Sequence, residues 1–157
     1  MKHFRTLTTS LIAWAALTLP AHAQTTVKDA WVRGTVAQQK ATGLFAQITS
    51  AGGGKLVSVS SPVAGVVEIH EMTMNGDTMR MRAVAALELP AGKVVKLEPG
   101  GYHVMLMDLK QQLKPGETVP VTLVVEGAGG KRETVELKAP VRPLSGKDEH
   151  SGHGHKQ

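Results

Sequence analysis

From residue 24 onward the chain alternates apolar and polar positions with a period of two, and little of it shows the spacing of a helix. Residues 27–33, 43–49, 55–60, 66–74, 78–84, 93–97, 102–108, 119–126 and 133–138 each carry that alternation or a β-branched enrichment. Turn signals separate them: Gly52-Gly53-Gly54, Asn75-Gly76, Pro90-Ala91-Gly92, Pro99-Gly100-Gly101, Pro115-Gly116 and Gly127-Ala128-Gly129-Gly130. Roughly nine short strands so spaced predict an all-β sandwich or barrel. No internal repeat and no second domain is visible.

The two ends depart from the pattern. Lys2 and Arg5 precede an apolar run over 7–19, and Ala21-His22-Ala23 offers the small residues a signal peptidase reads. Cleavage after Ala23 is expected, because a membrane-spanning helix needs about 20 apolar residues and this run is shorter and interrupted by threonine and serine. The mature chain of 157 − 23 = 134 residues should then be exported without membrane insertion, and it suffices for one domain, 24–143, with its own core. Residues 144–157 hold His150, His153 and His155 among Ser, Gly and charged residues, have nothing apolar to bury, and should be disordered without a ligand.

Charge narrows the function. The formal charge of +5 loses Lys2 and Arg5 with the signal, leaving a mild excess with no basic cluster, and aromatic residues are 3% of the chain. Nucleic acid is therefore not an expected partner. There is no cysteine. In an oxidising compartment thiolates close into disulfides, whereas a thioether cannot, and it needs no deprotonation to bind metal.

Every methionine after the initiator lies in one of two stretches, each with one of the two histidines of the mature body: His70, Met72, Met74, Met79, Met81, then His103, Met105, Met107. Thioether sulfur with imidazole nitrogen is a donor set for a soft monovalent metal, copper(I) above all. A methionine stripe is more often core filler. Here all six mature methionines accompany both body histidines, and this concentration favours the metal.

Asn75-Gly76 between alternating runs is a strong hairpin signal. A two-residue loop there makes facing numbers sum to 151, so His70 faces Met81, Met72 faces Met79 and Glu71 faces Arg80. A loop over 75–78 would instead pair Met72 with Met81. Either register keeps the same face. On the later strand His103, Met105 and Met107 point one way while Val104, Leu106 and Asp108 point the other. Set together, the two stretches would surround an ion with two imidazoles and two thioethers.

The spacing His70, ten residues, Met81, twenty-one residues, His103, one residue, Met105 resembles the copper motif of the periplasmic copper chaperones of the PCu(A)C family. Asp29-Ala30-Trp31-Val32-Arg33, Thr42-Gly43-Leu44-Phe45 and His70-Glu71-Met72 resemble it as well, over about residues 28–142. The resemblance implies a cupredoxin-like Greek-key β-sandwich of eight to nine strands in the periplasm, binding copper(I) through His70, Met81, His103 and Met105. It further implies delivery towards the binuclear copper centre of cytochrome c oxidase, beside a thiol-containing partner of the Sco type. Some relatives bind copper(II) in a tail; here His150, His153 and His155 would do so without methionine. Met72, Met74, Met79 and Met107 fall outside the motif and are expected to pack around the ion.

A neutral-donor site should surrender copper(I) to thiolates, with His103 and Met105 expected as the exposed first points of exchange. A periplasmic scavenger without a dedicated client would use the same residues. An electron-transfer cupredoxin would need a cysteine ligand, and the chain has none. No nucleophile or acid–base pair stands out as an enzyme's would: Asp29, Glu68, Glu71, Asp77 and Asp108 read as solvated strand or turn charges.

Overall fold

A computed structural model describes residues 24–144, so the expected export signal and the three tail histidines lie outside the described part. Ten strands follow one another: β1 (Thr25–Arg33), β2 (Ala41–Ser50), β3 (Gly54–Ser60), β4 (Ala64–Asn75), β5 (Thr78–Val84), β6 (Leu87–Leu89), β7 (Val94–Leu97), β8 (Tyr102–Leu109), β9 (Thr118–Glu126) and β10 (Arg132–Arg142). One layer has the order β5-β4-β8-β7-β2-β1, with β8 also bonded to β2, and the other has β10-β9-β3-β6. They join through a short parallel contact in which Val32 and Arg33 of β1 pair with Val141 and Arg142 of β10. Neighbours such as β4 and β8, or β3 and β9, are distant in sequence, as a Greek key requires.

The period of two explains the core. Along β9, Val119, Val121, Leu123 and Val125 are buried; from the other layer Leu44, Ile48, Ile69, Val104 and Leu106 join the same apolar cluster. Each such side chain contributes about 1.5–3 kcal/mol by leaving water. Because one face of β4 and β8 is committed to this cluster, the alternate face points outward.

Two details differ from the sequence expectation. Strand β6 has only three residues, too few to show a period, yet Leu87 and Leu89 are buried and Leu89 pairs with Gly54 of β3. The β4–β5 hairpin turns at Gly76-Asp77 rather than Asn75-Gly76: Asn75 pairs with Thr78, Met74 with Met79, Met72 with Met81 and His70 with Ala83. Gly76 takes φ 63°, as the first central residue of a II′ turn must. The register expected from an Asn75-Gly76 loop is thus displaced by two residues to the alternative in which Met72 faces Met81, and every side chain stays on its expected face. The displacement also gives Glu71 a different partner. Arg82 donates to Glu71 Oε2 from Nη2 at 2.7 Å and from Nε at 3.0 Å, and Arg80 faces Thr73 instead.

Candidate metal centre

The antiparallel β4–β8 ladder sets His70 directly opposite His103, with ring centroids 5.8 Å apart and planes at 66°. The same ladder sets Met105 opposite Glu68 and Met107 opposite Val66. Val104 and Leu106 take the core side, so His103, Met105 and Met107 occupy the outer face with His70. In β5, Met81 and Met79 share that face through their pairing with Met72 and Met74. All eight histidine and methionine positions singled out in the mature body therefore lie on one side of one sheet.

The two imidazoles are held in complementary ways. His103 is 5% exposed, and its Nδ1 lies 3.1 Å from the carbonyl oxygen of Gly101. A carbonyl only accepts, so Nδ1 carries the proton and Nε2 of the neutral ring keeps its lone pair. His70 is reversed. Its Nε2 lies 2.8 Å from Glu68 Oε2 and donates to it, while Nδ1 is buried without any partner. A buried acceptor left unsatisfied is costly in a native protein. Metal-binding histidines commonly donate their second ring N–H to a carboxylate or a backbone carbonyl, and both arrangements occur here side by side. In sequence Glu68 reads as a solvated charge; the structure makes it the hydrogen-bond partner of a candidate ligand. Its signal in the sequence is a two-residue spacing on a strand, which puts Glu68 and His70 on one face.

Aromatic residues wall one flank. Phe45 lies 6.4 Å from the His103 ring and 4.6 Å from Trp31, centroid to centroid. Arg33 and Arg142 cap these rings at 5.4 Å and 5.1 Å. Gly43, opposite Met105, makes room: a Cβ there would meet Phe45 Cζ at 2.8 Å. Phe45 thus folds over β2 beside the histidine and limits access of water to it.

The thioethers are less enclosed. Met72, Met105 and Met107 are half-buried, whereas Met81, Met79 and Met74 are 49%, 48% and 63% exposed. Two expectations change accordingly. His103 is buried and Met105 half-buried, so of the four motif residues it is Met81 that is exposed; and Met74 and Met79 project into solvent instead of packing. Met81 and Met105 also lie at opposite ends of the histidine pair. On a flat sheet two strand spacings and four residues of offset would hold their Cα atoms about 16 Å apart. Sharing one ion requires the β4–β5 ribbon to coil over the face, and two-stranded ribbons twist most strongly.

Among the described residues no three His, Asp or Glu side chains converge on a common point, so an oxygen-rich site for a hard cation is absent from this part. The fold with its outward imidazole and thioether face puts the molecule among the cupredoxin-like β-sandwich proteins. The chain belongs to the LpqE-like family ("Putative lipoprotein LpqE-like"), whose sequence profile matches residues 25–141. It is 34% identical over 145 residues to "Putative lipoprotein Lxx21020" of Leifsonia xyli subsp. xyli, covering 85% of this chain and 84% of that protein. Among solved structures it is similar to the apo PCuAC domain from PmoF1, at 29% identity and TM-score 0.63 over 77% of this chain and 95% of that one. It is also similar to CuI-DR1885 from Deinococcus radiodurans, at 32% identity and TM-score 0.59 over 81% of each chain. The resemblance drawn from ligand spacing and the structural comparison therefore meet in PCuAC-type proteins.

Proposed function

We propose that the protein is an exported copper(I) chaperone that binds one ion through His70, Met81, His103 and Met105. The observation that carries this reading is the histidine pair, with one free ring nitrogen on each residue and the other tied to Glu68 or Gly101. The similar Deinococcus radiodurans protein was solved as its CuI form, and the donor set here suits the same ion. Copper is cargo in this scheme, not a catalytic cofactor, and no enzymatic step is assigned. Met81 reaches the ion by coiling of the hairpin, and Met72 and Met107, half-buried on the same face, shield it.

Function then follows from ligand exchange. Neutral donors hold copper(I) without a thiolate, so an incoming thiol displaces them one at a time, beginning at the exposed Met81. The recipients are a Sco-type thiol protein and the copper-binding subunit of cytochrome c oxidase, on the way to its binuclear copper centre. Export through residues 1–23 puts this exchange in the periplasm, and His150, His153 and His155 add a copper(II) site.

The test is an anaerobic copper(I) titration of the mature protein with and without residues 144–157, followed by X-ray absorption. One copper(I) with two nitrogen and two sulfur neighbours in the truncated form, plus an added copper(II) in the full chain, is the expected result. A sulfur-free coordination sphere would overturn the inner site. Copper retained against a Sco-type dithiol would turn the chaperone into a scavenger.

A further inference from the structure

The β4–β5 hairpin outruns the sheet that carries it. Glu71 is the last β4 residue paired with β8, and the Met72 amide makes the final contact, to the Gly101 carbonyl at 3.2 Å. Beyond that point the ribbon pairs only with itself, through Thr73–Arg80, Met74–Met79 and Asn75–Thr78. Its two faces differ completely. Thr73, Asn75, Thr78 and Arg80 form one face; the other is built of Met72, Met74, Met79 and Met81 and no other residue type.

Core filling, the usual role of a methionine stripe, does not account for this face. The core does not use it, since Met74 is 63% and Met79 48% exposed. Strands favour β-branched and aromatic residues, so an apolar ribbon meant only to pack would be expected to carry valine, isoleucine or phenylalanine. What these four side chains share is a soft, neutral sulfur donor. Their spacing suits its use. With a two-residue loop the closing pair Asn75–Thr78 is of the hydrogen-bonded kind, and alternation along the ladder makes both methionine rungs the closer, non-hydrogen-bonded kind. Facing Cβ atoms in such rungs stand about 4.5–5.5 Å apart, within reach of two thioethers gripping one ion from opposite sides.

We propose that Met74 and Met79 form a second, outer site for a monovalent soft cation, copper(I) or silver(I), separate from the inner histidine centre. Two-coordinate binding by facing sulfurs suits such ions, and the site needs no proton release. The Met72–Met81 rung lies about 7 Å further in, between the outer pair and His70. An ion held at the tip is one rung from the residues that lead to the inner centre. The outer pair is thus a collecting station whose weaker grip lets the ion move inward.

The experiment uses the full mature chain with methyl-13C methionine, titrated with silver(I) nitrate in chloride-free buffer and followed by methyl NMR. Silver avoids air oxidation and keeps the charge and softness of copper(I). Shifts of the Met74 and Met79 methyls within two equivalents of silver are expected. Their loss in the double variant Met74→Leu, Met79→Leu is expected too, with one equivalent less silver bound. Leucine keeps the bulk at two exposed positions, so folding is preserved and checked by the unchanged remaining methyls. Unmoved Met74 and Met79 methyls after two equivalents, or undiminished silver binding by the double variant, would overturn the outer site. Failure of the inner reading looks different: Met81 and Met105 would stay unmoved whatever the tip does.

Discussion

A single ring orientation separates a histidine that could serve a metal from one that merely packs. His70 and His103 are visible in the sequence as candidate donors, and their shared face follows from a period of two. Which nitrogen each presents is not, because that depends on rotamers and on a backbone carbonyl, Gly101, whose position only the folded chain defines. Glu68 escapes sequence reasoning for the same reason: proximity to His70 is legible, the 2.8 Å hydrogen bond is not. Long-range proton–nitrogen NMR of the apo protein should find His70 protonated at Nε2 and His103 at Nδ1. Glu68→Ala should relax His70 towards a tautomer mixture and weaken copper(I) binding about 10–100-fold, whereas Glu68→Gln, whose amide oxygen still accepts from Nε2, should retain most of it. A single wild-type-like tautomer in Glu68→Ala would remove Glu68 from the site.

At the level of elements, the hairpin carries most of the new information. Its existence and its face are predictable; its register is not, since Asn-Gly and Gly-Asp are both acceptable loops and only cross-strand partners decide between them. Glu71 marks the outcome. The Arg82 guanidinium, then the Tyr102 hydroxyl, hold its carboxyl below the ordinary value. A carboxyl depressed in the folded state stabilises fully above its unfolded pKa, and that contribution is lost as pH falls through the folded pKa. The protection factors of the β4–β5 amides, exchange rates taken relative to the intrinsic rate at each pH, should therefore fall on acidification below the usual carboxylate range. In Glu71→Gln this acid-induced change should shrink while the neutral-pH rate rises. Identical acid profiles for the two proteins would show that the Glu71–Arg82 pair does not anchor the hairpin.

Over the whole molecule, the division of labour between the two sides of the β4–β8 layer matters most. The sandwich is legible because alternation over nine segments is hard to satisfy any other way. The parallel β1–β10 closure is not, because two paired residues leave no periodic trace. Core and site use opposite faces of the same strands, so they should respond independently to mutation. Leu123→Ala, at a side chain 1% exposed, should cost about 2–5 kcal/mol in denaturant unfolding and leave the copper stoichiometry of the folded fraction unchanged. A loss of copper binding in the still-folded variant would show that the outer face depends on details of the interior.

Among the described residues, the hairpin sulfurs of Met74, Met79 and Met81 are the most exposed to oxidants. Hypochlorite or peroxide converts a thioether to a sulfoxide, a polar group with little affinity for soft ions, and access governs the rate. Tryptic mass spectrometry after mild oxidant should find Met74, Met79 and Met81 modified before Met105. Oxidation would then remove soft donors from the exposed face without disturbing the buried core, and reduction by methionine sulfoxide reductases would restore them.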